Sequence, residues 1–116
     1  MIVFVYGTLR RGEANHGQLG GAVFIGPATT PPAFDLVHLG AYPAMISGGC
    51  TAITGELYQV DTATLAALDA LEEHPTYYRR TEVALADGTR AQAYLLPRAL
   101  AAEAPLIAGG DWCLRP

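Results

Sequence analysis

The feature of this chain that most constrains its fold is a series of short apolar runs, rich in β-branched and aromatic residues, that glycine and proline interrupt at close intervals. Such runs predict β-strands, because they are too short for typical helices and end at residues that favour turns. The last two runs flank Asp87 and Gly88, a pair typical of hairpin tips, so we expect them to pair antiparallel. The predicted strands cover residues 2–6, 22–25, 34–39, 44–46, 52–60, 80–85 and 89–96.

One segment has the pattern of an amphipathic helix, with a body over residues 65–73. Asp61 is placed to cap its N-terminus and Pro75 to end it. A weaker helical pattern covers residues 98–103. Many strands and few helices predict the α+β class. Closely spaced apolar strands also favour a small mixed β-barrel with flanking helices, which would leave no exposed sheet edges.

Size and charge limit the classes of protein to which the chain can belong. Its 116 residues, 51% of them hydrophobic, fit a single domain over residues 1–116. A net charge of −4, with seven Lys and Arg and no basic run, argues against nucleic acid as a partner. The apolar N-terminus is too short to span a membrane and lacks the features of a signal peptide, so a cytoplasmic location is expected.

The two cysteines, Cys50 and Cys113, have no companion at metal-ligand or dithiol spacing. We therefore expect no metal site and no redox motif. Their spacing does not exclude a disulfide, but a reducing compartment favours two buried or half-buried thiols.

One carboxylate of the predicted helix points toward its apolar side. On a helical wheel of about 100° per residue, the leucines define an apolar face centred near Leu68. Glu72 lies roughly 40° from that centre, whereas Glu73 lies roughly 140° away and faces water. An ionised carboxylate is rarely buried without a partner. Two interpretations of Glu72 stay open: an ion pair with Arg79 or Arg80, or a pocket base with a raised pKa.

The loop after the first strand has the sequence Tyr6-Gly7-Thr8-Leu9. It is either a turn that only reverses the chain or an anion-binding nest. In a nest, successive backbone N–H groups, freed here by the glycine, point at a carboxylate or a developing oxyanion. It is not a phosphate-binding P-loop, because no Gly-Lys-Ser or Gly-Lys-Thr follows.

Other polar residues receive no catalytic role. His16 is interpreted as a hydrogen-bonding spacer, because no Ser or Cys nucleophile is placed by a motif. Asp111 and Trp112 are interpreted as a packing and capping device for the C-terminal segment. Tyr78 either walls a pocket or packs in the core.

Several motifs together resemble those of the γ-glutamylcyclotransferase-like family. The loop and helix motifs are specific as a pair, although either would be weak by itself. The resemblance extends from Ile2 to Trp112 and is carried by residues 3–12, Asn15-His16, Gly40-Ala41-Tyr42-Pro43-Ala44, residues 55–60, Leu68-Asp69-Ala70-Leu71-Glu72, Tyr78-Arg79-Arg80 and Gly110-Asp111-Trp112.

This resemblance implies the small mixed-strand barrel of that family, with Glu72 as catalytic acid/base and Tyr6, Gly7, Thr8 and Leu9 holding the glutamyl part of the substrate. The Thr-Leu pair in the loop is similar to the branch that acts on γ-glutamylamines. The implied partner is a small γ-glutamyl molecule, and no cofactor is required. The α-amine of that substrate attacks its own side-chain carbonyl, and 5-oxoproline and an amine are released.

Two other classes of function are kept open. One is a non-catalytic module of the same fold that binds a small metabolite. The other is an interaction domain with a vestigial pocket. An enzyme needs the Glu72 carboxylate for turnover, a binding module needs the loop more, and an interaction domain needs neither.

Overall fold

The computed structural model describes residues 1–101 and 103–115. It has seven strands in one sheet and one α-helix, so the predicted α+β class is confirmed. Each predicted strand is present, with ends displaced by a few residues. The strands are β1 (Ile2–Val5), β2 (Val23–Thr29), β3 (Phe34–His38), β4 (Pro43–Ser47), β5 (Thr54–Gln59), β6 (Arg79–Ala84) and β7 (Arg90–Leu95), and the helix is α1 (Thr62–Leu71).

The sheet has the order β2-β5-β1-β7-β4-β3, and β6 pairs with β7 outside this path. Strands β1 and β4 both pair in parallel with the same edge of β7. Val3 of β1 lies opposite Gln92, and Met45 of β4 lies opposite Leu95. The other neighbouring strands pair antiparallel, including the predicted β6–β7 hairpin. The sheet is thus mixed, and β7 is the strand at which its two halves meet.

The expected closure into a barrel is wrong, because no ladder joins β2 to β3 in the described ranges. The edges formed by β2 and β3 are protected in other ways. Strand β2 carries Pro27 and a register shift between Phe24 and Gly26, two devices that discourage edge pairing. Isolated bridges from Thr51 and Leu106 partly cover β3. Strand β2 also continues past its predicted end at residue 25, because a proline is tolerated on an edge strand.

Both faces of the sheet are buried, because successive residues of its inner strands enter two different apolar clusters. Val3 and Val5 join the cluster that includes Leu68 of α1, whereas Phe4 joins the cluster that includes Trp112. The helix therefore covers one face of β1, and the C-terminal segment covers the other.

The helix starts as predicted, with the Asp61 carboxylate accepting a hydrogen bond from the Thr64 N–H at 2.7 Å. It ends at Leu71, two residues before the predicted end. Glu72 is the C-cap, and Glu73 leaves the helix with a left-handed φ of 55°. Glu72 therefore lies at the C-terminal end of α1 and not in its body.

The predicted helix over residues 98–103 appears only as one 3-10 turn, Arg98–Leu100, and Ala102 lies outside the described residues. Two further 3-10 turns cover His16–Leu19 and Trp112–Leu114. Cys50 and Cys113 are unbridged, as favoured, but both are exposed, so their predicted burial is wrong. In the described part of the chain, no helix is long and apolar enough to cross a membrane.

Candidate active site

A cleft of about 220 Å³ opens where the loop after β1 meets the end of α1. It brings together all five residues that the sequence analysis selected, namely Tyr6, Gly7, Thr8, Leu9 and Glu72. The other lining residues are Phe4, Val5, Asn15, Tyr42, Pro43, Leu71, Glu73, Tyr77, Tyr78 and Tyr94. A concave site with few polar groups on an apolar wall is typical of small-molecule binding.

Glu72 is a half-buried carboxylate that no basic side chain of the described residues neutralises. Its main-chain N–H still bonds to the Leu68 carbonyl at 2.9 Å, so the last turn of α1 fixes its position. Within residues 1–101 and 103–115, its carboxylate makes no hydrogen bond or ion pair with another side chain. Desolvation by burial raises the pKa of Glu72 to about 7. The protonation state of this carboxyl group therefore changes around neutral pH.

The alternative ion pair of Glu72 with an arginine is wrong. Arg80 instead binds Asp69 through two hydrogen bonds of 2.9 and 3.2 Å. Arg79 is exposed and makes no ion pair among the described side chains. Of the two interpretations, the pocket carboxylate with a raised pKa is the one that agrees with the structure.

Three consecutive residues of the loop after β1, Gly7, Thr8 and Leu9, line the cleft. In the described ranges, the N–H groups of Gly7, Thr8 and Leu9 donate to no protein acceptor. The loop is braced from behind, because the Arg10 N–H bonds to the Gly7 carbonyl at 3.0 Å. The Asn15 N–H and side-chain amide bond to the Thr8 carbonyl and hydroxyl at 2.8 and 3.0 Å. Unpaired donors on a braced loop have the form of an anion-binding nest.

Gly7 is required by close packing and not by an unusual backbone angle. A Cβ atom at this position would lie 2.5 Å from Cγ and 2.8 Å from Cδ of Pro43. Pro43 is held in turn, because the Tyr78 hydroxyl donates to its carbonyl at 2.6 Å. Tyr78 therefore both lines the cleft and packs behind it, so its two predicted roles are combined.

The hydroxyl group of Tyr6 makes its hydrogen bonds within the protein. Its hydroxyl donates to the Tyr94 carbonyl at 2.6 Å and accepts from the Met45 N–H at 3.1 Å. Burial raises its pKa far above the ordinary value. Tyr6 thus offers the cleft mainly its main chain, while its side chain holds strands together.

The sequence analysis missed a polar network under the cleft. The Asp69 carboxylate accepts from Arg80 and, at 2.7 Å, from the Tyr94 hydroxyl. Desolvation raises the pKa of Asp69, but the hydrogen bonds from Tyr94 and Arg80 outweigh it and lower the pKa overall. Asp69 precedes Glu72 by almost one helical turn, so the network fastens this end of α1 to β6 and β7. The helical wheel gave little signal for this network, because Asp69 lies about 100° from Leu68 and therefore outside the apolar face.

The remaining polar predictions agree with the contacts found. His16 Nδ1 lies 2.9 Å from the Leu9 carbonyl, as expected of a spacer. Asp111 caps the last 3-10 turn through the Cys113 N–H, and Trp112 is buried with its Nε1 donating to Glu13 at 2.8 Å. Asp111 also binds Arg10 at 2.7 Å, so the capping device extends to the loop after β1.

In the part of the chain that the structure describes, there is no cluster of side chains that could bind a metal ion. No group of three or more His, Cys, Asp or Glu side chains is arranged to hold an ion. What the cleft combines is one proton-exchanging carboxylate and one row of N–H donors. Such a pair suits proton transfer beside a developing negative charge, because the carboxylate can move protons while the donors hold the charge.

The fold and the cleft define a small α+β protein in which a half-buried carboxylate and the loop after β1 line the same cleft. The chain belongs to the family described as gamma-glutamyl cyclotransferase, AIG2-like, whose model matches residues 3–114. The resemblance found in the sequence is therefore confirmed.

Individual relatives agree with this family. A Vibrio cholerae protein provisionally named gamma-glutamylcyclotransferase is 44% identical over 114 residues, which cover 98% of this chain and 96% of the relative. A mouse protein named gamma-glutamylaminecyclotransferase is 40% identical over 90 residues, which cover 68% of this chain and 59% of the relative. The solution structure of Escherichia coli protein YtfP has a TM-score of 0.76 at 35% identity and covers 97% of this chain and 96% of its own.

Proposed function

We propose that this chain is a γ-glutamyl cyclotransferase, with Glu72 as its catalytic acid and base and residues 6–9 as its substrate-binding loop. The observation that carries the proposal is the cleft that Glu72 shares with Gly7, Thr8 and Leu9, whose N–H groups donate to no acceptor among the described residues. Membership of the family supports the class of reaction.

In the proposed reaction the α-nitrogen of a γ-glutamyl group forms a bond to its own side-chain carbonyl carbon, and the bond from that carbon to the departing nitrogen breaks. The products are the five-membered lactam 5-oxoproline and a free amine. Between the α-ammonium and the lactam, the nucleophilic nitrogen loses two protons. Between the amide and the released ammonium, the departing nitrogen gains two. No cofactor takes part in these steps.

Glu72 is suited to carry those protons. With a pKa of about 7, its carboxylate is basic enough to accept a proton from the α-ammonium and acidic enough to return it to the departing nitrogen. A normal glutamate would be a weaker base by more than two pKa units, and a permanently neutral one could not accept the proton. Half-burial therefore matches the carboxylate to its two proposed tasks.

The N–H groups of residues 7–9 supply the second element of the mechanism. They hold either the α-carboxylate of the substrate or the oxyanion that develops on the attacked carbonyl. Preorganised donors of this kind contribute about 3 to 4 kcal/mol each where single donors have been removed. The small volume of the cleft adds to this effect, because folding the glutamyl chain into its attack geometry raises the effective molarity to about 10⁵ M or more.

Within this reaction we propose γ-glutamylamines as the preferred substrates. The Thr8-Leu9 pair resembles that branch of the family, and the mouse relative carries a name of the same kind. The substrate is proposed to be small and to carry a free α-amino acid head.

The deciding experiment measures products. The protein is incubated with γ-glutamyl-methylamine and with its Nα-acetyl derivative, and 5-oxoproline and glutamate are quantified by mass spectrometry. We expect 5-oxoproline from the free amine and no reaction of the acetylated compound, because acetylation removes the nucleophile. Glutamate as the primary product, or turnover of the acetylated compound, would show hydrolysis instead. Binding without any product would identify a metabolite-binding module.

A further inference from the structure

We infer that Tyr42 and Tyr77 form a specificity surface at the mouth of the cleft, where they contact the departing amine and favour apolar amines that carry no carboxylate. This inference rests on the proposed function, because it assigns the part of the cleft that the glutamyl group does not fill. These two residues are called the mouth tyrosines below.

The lining of the cleft has a buried end and an open end. Gly7 and Leu9 are buried, whereas Tyr42 and Leu71 are 37% and 38% exposed. The glutamyl group must be enclosed, because its α-amine has to be held against its own carbonyl. It therefore takes the buried end with the N–H groups, and the departing amine extends toward the open end.

The mouth tyrosines come from two different segments and meet across the opening. Tyr42 precedes β4, and Tyr77 follows α1, yet their hydroxyl oxygens are 3.4 Å apart. Both rings pack edge-on against Tyr78, with centroid distances of 6.3 and 5.1 Å. Tyr78 is itself anchored to the Pro43 carbonyl. The mouth is thus an aromatic surface on a fixed support, suited to contact with an apolar group.

The charge of the cleft opposes an anionic departing group. Among the described residues that line it, the charged side chains are Glu72 and Glu73, and none is Lys, Arg or His. Glu73 is exposed beside Tyr77. A carboxylate on the departing amine would lie near these acids with no cation to balance it, and like charges brought together at a binding site suppress the wrong ligand. An amine without a carboxylate avoids this repulsion.

The test uses substrates that differ in a single group. γ-Glutamyl-phenethylamine and γ-glutamyl-phenylalanine carry the same ring, but only the second has a carboxylate, and γ-glutamyl-methylamine has no ring to pack on the mouth tyrosines. We expect kcat/KM of the phenethylamine conjugate to exceed that of the phenylalanine conjugate by about tenfold or more. Tyr42→Ala and Tyr77→Ala should each lower the kcat/KM ratio of the phenethylamine to the methylamine conjugate by about tenfold.

The controls separate ring contact from general damage. Tyr77→Phe keeps the ring and should keep the ratio, and Leu114→Ala alters an apolar side chain that is 80% exposed and does not line the cleft. Circular dichroism shows whether each variant is folded. If the conjugates all release 5-oxoproline but neither alanine variant moves the ratio, the specificity surface is wrong and the proposed function stands. If no conjugate releases 5-oxoproline, both are wrong.

Discussion

The hydroxyl of Tyr6 donates a hydrogen bond of 2.6 Å to the main-chain carbonyl of Tyr94, at the place where β7 changes its neighbour from β1 to β4. The same oxygen accepts from the Met45 N–H of β4. The Tyr6 side chain here takes the place of main-chain hydrogen bonds that the diverging strands β1 and β4 cannot make with each other. Because Tyr6 directly precedes the loop that lines the cleft, this contact fixes the direction in which the loop leaves the sheet.

Tyr6→Phe tests whether this hydroxyl is structural. We expect the free energy of unfolding to fall by about 1–3 kcal/mol, because two buried main-chain groups lose their partner. Chemical denaturation measures the loss, and Tyr42→Phe, which alters a hydroxyl at the surface, is the control. Turnover by the folded variant should be much less affected than its stability. Normal stability with abolished turnover would instead identify the Tyr6 hydroxyl as a substrate contact.

Glu72→Gln should preserve the fold and lower kcat by about 10²-fold or more, because the amide cannot exchange protons. Glu73→Gln is the matched control. Its side chain is exposed, and we expect nearly unchanged kcat for γ-glutamyl-methylamine. Steady-state assays on both variants decide the matter. Loss of activity in the Glu73 variant alone would show that Glu73, and not Glu72, has the catalytic role.

The raised pKa of Glu72 predicts opposite effects of pH on stability and activity. Its pKa rises from 4.5 to about 7 on folding, so between these values the folded state binds more protons than the unfolded state. The contribution of Glu72 to stability is therefore complete below pH 4.5 and is lost as pH rises through 7. The loss is at most about 3 kcal/mol, and smaller where solvent reaches the carboxylate. Activity should rise over the same range as the base ionises.

The measurement is the difference in the free energy of unfolding between Glu72→Gln and the unmodified protein, taken from pH 4 to pH 8. We expect this difference to grow in favour of the variant as pH rises, because glutamine resembles the protonated acid. In parallel, kcat/KM of the unmodified protein should rise through an apparent pKa near 7. A pH-independent difference in stability would show that Glu72 has an ordinary pKa.

Gly7→Ala should raise KM and lower kcat together, because the added methyl group displaces the loop from Pro43. Such overpacking also costs about 1–3 kcal/mol of stability. Gly7→Val should be worse, and Thr8→Ala milder. Gly17→Ala is the matched control, since a Cβ there meets no atom within 4 Å. Unchanged kinetics in a folded Gly7 variant would remove the loop from the site.

Asp69→Asn should lower kcat by about tenfold with little change in KM, because the end of α1 that carries Glu72 loses its charged bond to Arg80 while the loop is untouched. Asp87→Asn, at the exposed hairpin tip, serves as control. Steady-state kinetics separate the two constants. An equal rise in KM would indicate that the Asp69 network also shapes the binding loop.

Local patterns predicted the strands, the helix cap and the hairpin, because each depends on residues close together in sequence. The wheel likewise predicted which of two adjacent glutamates turns inward. Sequence could not decide whether Glu72 would meet an arginine. Arg80 forms its ion pair with Asp69 instead, and no local pattern predicts this contact between the helix and β6.

Closure of the sheet was also beyond a local argument. It depended on the pairing of one edge of β7 with both β1 and β4, two strands that are far apart in the sequence. The requirement for a glycine at position 7 was visible in the sequence, but its cause was not. The structure assigns the requirement to the ring of Pro43, which local sequence does not place beside the loop.

The bond between Arg10 and Asp111 joins positions 101 residues apart. During synthesis, the loop after β1 is made long before the segment that contains Asp111. Strand β1 can pair only after β5 and β7 have been made. The loop after β1 is therefore synthesised well before the segments that fix its final shape. A nascent chain that is interrupted before Asp111 would carry every proposed site residue and still lack the contact that braces the loop.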